Sequence, residues 1–237
     1  MSTYVLVHGA WHGSWCWNKV IPFLQEEGHK VITPDLPGHG SDGTPISTVS
    51  LHAYTDCVCH ILDERSEPVI LVGHSMGGVV ISQAAECRPE KINTLIYLAA
   101  YLLRNGESVY QVAEADQQSL IIPNAIPSAD QSSATLKDEA VREVFYGDCT
   151  DEDVTLAKSS LIPQAVAPLV TPLSTTEGNF GKVRRVYVSC LRDRAVTPSC
   201  QEKMYTSLPC DKVVCMDTCH SPFLSAPQKL AKILLSL

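Results

Sequence analysis

The sequence predicts an α/β protein: a doubly wound, mostly parallel sheet with helices on both faces and an inserted, mainly helical cap. Three observations carry that expectation. Short apolar runs alternate with helical patterns of roughly ten to fifteen residues, the mark of βαβ units. One long stretch then interrupts the alternation without a convincing buried strand. Finally, the chain has 237 residues, 45% of them hydrophobic and 19% charged. That composition supports one large core and excludes global disorder.

The elements follow in order. Tyr4-Val5-Leu6-Val7, closed by His8-Gly9, reads as a buried strand. Over residues 14–27 apolar side chains recur at helical spacing (Trp17, Val20, Ile21, Leu24), and Gly28 stops the pattern. Residues 30–33 form a second strand, and the turn formers of 34–43 make a loop before a helix over 51–65. Residues 69–72, 95–98, 186–189 and 212–216 supply four more strands, and a helix over 226–235 closes the chain. Residues 1–102 and 181–237 are therefore expected to form the core. Residues 103–180 form the cap, with helices over 136–145 and 151–161 and a Pro-, Ser- and Gln-rich stretch over 117–133. Such an insertion is expected over the sheet edge, where α/β folds place their ligand sites. No internal repeat is found.

Charge and pattern exclude several function classes. The net charge is −8, and no basic run exceeds the pair Arg184-Arg185, so nucleic acid is not an expected partner. No apolar run approaches the roughly 18 residues of a membrane span, and the first residues carry no targeting pattern, so a cytoplasmic chain is expected. A homodimer is the one macromolecular assembly the sequence leaves open. Ten cysteines are scattered without a C-x-x-C pair, and mostly free thiols packed as small apolar groups are expected.

The chemistry is concentrated in Gly73-His74-Ser75-Met76-Gly77-Gly78, which lies between the strand ending at Val72 and a helix beginning near Met76. A G-x-S-x-G segment in that context makes a tight turn that exposes the Ser75 hydroxyl above the sheet, with a helix N-terminus beneath it. A serine needs a general base, and the base needs an orienting carboxylate. His220 is the one histidine that follows Ser75, and it comes just after the last strand. Asp193, a few residues past the penultimate strand, is the expected acid. Asp217, three residues before His220, stays open as the alternative. The amides of Met76 and Ala10 are the expected oxyanion donors. His8, His12 and His74 are expected to hold loops through ring hydrogen bonds. Cys215, Cys219 and His220 are the grouping to weigh should the site hold a metal after all.

These residues resemble the α/β-hydrolase superfamily over essentially the whole chain. His8-Gly9-Ala10-Trp11-His12-Gly13, the step Gly28-His29-Lys30-Val31 and Leu71-Val72-Gly73-His74-Ser75-Met76-Gly77-Gly78 resemble the branch of plant methylesterases and hydroxynitrile lyases. Ile96-Tyr97-Leu98, the segment from Val141 through Arg142, Glu143, Val144, Phe145, Tyr146 and Gly147 to Asp148, and His220-Ser221-Pro222-Phe223 look closer to small bacterial carboxylesterases, pyrethroid-ester hydrolases among them. The resemblance implies the α/β-hydrolase fold, no metal, no organic cofactor, and a small-molecule ester cleaved through an acyl-enzyme on Ser75. It also implies a cap over an acyl pocket, with Trp11, Tyr101, Phe145, Leu161 and Phe223 as candidate substrate-binding residues. The lyases of that branch use a threonine and a lysine where this chain has Gly9 and Ser221. Hydrolysis is therefore expected over cyanohydrin cleavage. Lyase or lactonase chemistry, and a ligand receptor retaining the triad, are the alternatives.

Overall fold

The computed structural model describes residues 1–237. In chain order its strands are β1 (Thr3–Val7), β2 (Lys30–Ile32), β3 (Val69–His74), β4 (Ile92–Leu98), β5 (Ala125–Pro127), β6 (Ser133–Leu136), β7 (Gln164–Ala165), β8 (Arg184–Cys190) and β9 (Lys212–Met216). Six of them lie side by side in the order β2-β1-β3-β4-β8-β9, every pair parallel. β1, β3 and β4 are buried along most of their length, which is what unbroken Val, Ile and Leu runs require when helices cover both faces of a sheet. The order reverses at β1: the chain first moves outward to β2 and then crosses back to β3. The loops after β1 and β3 therefore open at a topological switch point, where such sheets bind ligands.

Helices follow the expected positions with two informative differences. Residues 14–27 are not one helix but a 3₁₀ turn, Ser14–Trp17, followed by the helix Ile21–Glu26. Pro22 sits at the start of the second piece, where its missing N–H costs nothing, and it cannot continue a helix from upstream. The second difference lies in the insertion between β4 and β8. Besides short helices it carries β5, β6 and β7, paired as a small antiparallel sheet. Leu136 ends β6, so the helix expected over 136–145 begins only at Val141 and runs to Phe145. These strands have two to four residues and mixed burial, too short for an alternating pattern to register.

Hydrogen bonds and ion pairs tie the insertion to the core along its length, from Asp116 with Thr197 to Thr176 and Asn179 with Glu86. The Trp11 ring N–H donates to the Ala134 carbonyl at 2.9 Å, the Ile162 amide donates to the Trp11 carbonyl at 3.1 Å, and Lys19 pairs with Asp153 at 2.6 Å. All ten cysteines are free thiols. No helix is long and apolar enough to cross a membrane.

Candidate active site

Ser75 occupies the turn between β3 and the helix Gly77–Cys87, with φ at +53°. A side chain in this left-handed region costs about 1–3 kcal/mol unless its surroundings impose it. Here they do: the Ser75 amide donates to the Leu98 carbonyl at 3.3 Å, and its own carbonyl accepts from Gly78 and Tyr101 at 3.0 Å each. The flanking glycines are needed for close approach. A Cβ on Gly77 would stand 2.8 Å from the carbonyl oxygens of Val7 and His8, and one on Gly9 would stand 2.8 Å from the Ser75 Cβ. Trp11 after β1 (φ +63°) and Ala99 after β4 (φ +45°) are also left-handed, so strain is gathered at one edge of the sheet.

His220 is fully buried, and its Nδ1 lies 2.7 Å from Asp193 Oδ2. A proton held on that nitrogen by the carboxylate leaves Nε2 as the lone-pair nitrogen, and Nε2 is buried without another protein partner. No hydrogen bond joins the Ser75 hydroxyl to Nε2. Asp193 is itself over-determined. Its Oδ1 accepts from the amides of Ala195 (2.7 Å) and Val196 (2.9 Å), and its Oδ2 accepts from Gln201 Nε2 at 3.1 Å. Asp217 is elsewhere: its side chain is 72% exposed and pairs with Arg192 at 3.0 Å. Of the two carboxylates weighed from sequence, the fold brings only Asp193 to His220.

Four further buried histidines surround the trio. His8 accepts the Leu36 amide at Nε2 (3.1 Å), and its Nδ1 faces the Gly9 carbonyl at 2.8 Å. His12 bridges the Ala10 carbonyl (2.7 Å) and the Tyr146 hydroxyl (2.7 Å). His74 Nε2 donates to the His220 carbonyl at 2.9 Å, with its ring 4.5 Å from the His220 ring. His39 meets Gln164 Oε1 at 2.9 Å. Burial denies the imidazolium its hydration, so His8 and His12 are pushed down to about 3, His74 falls well below the usual range, and His39 is lowered too. The site is thus walled by neutral rings that fix loops without adding charge.

The remaining expected residues are dispersed. The amides of Ala10 and Met76 donate to no protein group. Trp11 and Leu161 line a cavity of about 160 Å³ with Leu136, Val141 and Ile162. Phe145 has its ring 5.6 Å from His220 and 5.8 Å from Trp11. Phe223 packs behind, 4.9 Å from His74 and 5.4 Å from Trp17, and Tyr101 is tied through its amide to Ser75. Cys215 is exposed on β9, apart from Cys219, which is buried near Cys149. Sequence reasoning missed Gln201 and Gln164. Gln164 is fully buried, and its Oε1 accepts from the Trp11 amide at 3.3 Å and from His39, while its Nε2 donates to Tyr54 and the Ala165 carbonyl. A buried glutamine has no periodic signature.

Residues 4–233 match the alpha/beta hydrolase family. A chloroplastic protein of Arabidopsis thaliana named as a methylesterase is 37% identical over 99% of this chain, which spans 63% of that relative's length. The pyrethroid hydrolase of Sphingobium wenxiniae is 33% identical over 96% of this chain and 84% of its own. The solved structure of a methylesterase from Arabidopsis superposes with a TM-score of 0.86 at 29% identity, covering 100% of this chain and 98% of that one.

Proposed function

The chain belongs to the alpha/beta hydrolase family, and from that premise we propose that it is a serine carboxylesterase hydrolysing hydrophobic carboxylic esters through an acyl-enzyme on Ser75. The observation that carries the reading is the 2.7 Å bond from His220 to Asp193, which leaves Nε2 without a protein partner, while the strained Ser75 elbow follows His74, whose ring lies 4.5 Å from that of His220. As Ser75 Oγ attacks the ester carbonyl, Nε2 takes its proton, and Asp193 stabilises the imidazolium that forms. The developing oxyanion meets the amides of Ala10 and Met76, each such donor being worth about 3–4 kcal/mol. The imidazolium then returns the proton to the leaving alcohol oxygen. Water, deprotonated by His220, cleaves the acyl-enzyme and releases the acid.

The apolar part of the small cavity of Trp11, Leu136, Val141, Leu161 and Ile162, which also carries Asp138 and Lys158, is the proposed contact for an apolar acyl or alcohol group. Relatives named as methylesterase and pyrethroid hydrolase are consistent with ester substrates of that kind. Gly9 and Ser221 stand where lyases of the resembling branch carry the threonine and lysine they rely on, which favours hydrolysis.

The test is turnover of p-nitrophenyl esters of increasing acyl length, run beside methyl esters and a cyanohydrin. Ser75→Ala should lower kcat by roughly 10³ to 10⁶ with the melting temperature nearly unchanged. Retention of more than about a tenth of the activity would overturn the serine mechanism, and a single burst without turnover would favour a receptor.

A further inference from the structure

Asp148, Cys149 and Cys219 stand together outside the catalytic trio, and no step of ester hydrolysis uses them. One ligand atom from each lies within 4.8 Å of the other two. The fold makes this grouping: Asp148 and Cys149 follow the helix Val141–Phe145 in the insertion, whereas Cys219 directly precedes His220. Asp148 Oδ2 accepts from the Cys219 amide and from Arg192, both at 3.0 Å, while Oδ1 is buried without a partner. The Cys219 thiol donates to the Phe145 carbonyl at 3.1 Å, and a hydrogen bond with Cys149 together with burial pushes it well above the usual thiol range. Two sulfurs and one unpartnered carboxylate oxygen therefore converge. Asp148 and Cys219 also line a pocket of about 740 Å³ that gives a small ion access from solvent.

We propose that Asp148, Cys149 and Cys219 bind one thiophilic divalent cation of the zinc and cadmium class, and that its binding arrests turnover by fixing the His220 loop against the insertion. Two sulfurs and one oxygen make a tetrahedral set with one position left for water, the preference of such ions. The balance is simple. The cation forms two metal–sulfur bonds and displaces two thiol protons to buffer, Asp148 adds Oδ1, and no electron moves. Three anionic donors then face a dication and the Arg192 guanidinium, so the charges cancel locally. Cys219 loses its bond to the carbonyl of Phe145, whose ring lies 5.6 Å from that of His220, and the rearrangement reaches the base directly.

The inhibitory half rests on the esterase reading, but the binding half does not. The full chain, kept reduced with a phosphine, is titrated with cadmium chloride alone while the ultraviolet thiolate-to-cadmium charge-transfer band and ester turnover are followed together. Both should saturate at one cadmium per chain, with turnover down by more than about tenfold and restored by chelator. Cys149→Ala should keep the metal-free turnover within about twofold while losing both the band and the sensitivity. Asp148→Asn should weaken apparent cadmium affinity by about tenfold or more, and it carries the comparison should Cys149→Ala fail to fold. A one-to-one band that survives Cys149→Ala, or Asp148→Asn binding as tightly as the parent, overturns the site. Inhibition that persists in Cys149→Ala overturns it as well, because the cation would then sit on His220. A band in a chain with no esterase turnover would leave the site standing and remove the esterase reading instead.

Discussion

At the carboxyl edge of the central sheet, β1, β3 and β4 end in fully buried backbone that holds Trp11, Ser75 and Ala99 in left-handed conformations. In the insertion above it, β5 to β7 are two to four residues long, and Ile126 is 45% exposed. The edge is held by core packing and by carbonyl and carboxylate groups satisfied several times over, as at Asp193. The insertion is held to the core by polar links spread along its length, among them the Trp11 indole to Ala134, Gln164 to Trp11 and His39, Asp116 to Thr197, Tyr146 to His12 and Glu86 to Thr176 and Asn179. The contrast assigns separate tasks. Strain can be stored only where the surroundings over-determine it, and the edge is where Trp11, Ser75 and Ala99 are held left-handed.

The largest expected effect tests the edge. Asp193→Asn should cost roughly 10³ to 10⁴ in kcat, because an amide favours the wrong imidazole tautomer and cannot stabilise the imidazolium. Asp217→Asn, at an exposed pair with Arg192, should leave kcat within about twofold. Steady-state kinetics of the two variants suffice. The reverse ranking would move the acid out of the over-determined region and dissolve the contrast.

A smaller effect tests the insertion. Gln164→Ala strips the partner from the Trp11 amide and from His39, and each buried polar group left unpaired costs about 1–3 kcal/mol. The denaturation midpoint should fall accordingly, while KM rises more than kcat drops. A kcat loss as large as that of Asp193→Asn would place the insertion inside the chemistry, and the division of labour would fail.

The same contrast explains what the sequence made legible. The inner strands β1, β3, β4 and β8 show themselves because burial on both faces demands continuous apolar runs, while the more exposed edge strands β2 and β9 are marked by short β-branched runs. Ser75 is visible because the tight turn between β3 and its helix demands glycines on both sides of it, and His220 because it is the one histidine downstream. Asp193 follows from the position of β8 beside β9. Gln201 and Gln164 are invisible because their value lies in satisfying buried groups from distant segments, and an amide looks like any surface residue in one dimension. The β5 to β7 sheet escapes for a related reason. Its pairing is stabilised by a turn in which Ser128 and Ser132 bond to Asp130, not by a hydrophobic pattern.

The smallest expected effect concerns the joint between the two regions. His12 bonds the Ala10 carbonyl at the sheet edge and the Tyr146 hydroxyl in the insertion, and it does so as a neutral ring. Burial lowers His8 and His12 from 6.5 to about 3. Between those values the unfolded chain binds protons that the folded chain refuses, so stability is full above about pH 6.5 and falls as pH drops toward 3. The slope is at most about 1.4 kcal/mol per pH unit for each histidine. The lowered carboxyl of Asp35 acts in the same direction but only below its ordinary value of 3.8, so the upper part of the window belongs to the histidines. Melting temperature followed by calorimetry from about pH 7 to about pH 4.5 should therefore decline steadily. His12→Asn, which cannot titrate, should lower the whole curve and flatten its slope. A parent curve that is level across this range would mean that the rings accept protons in the folded state, and the joint would then have to be built from charge.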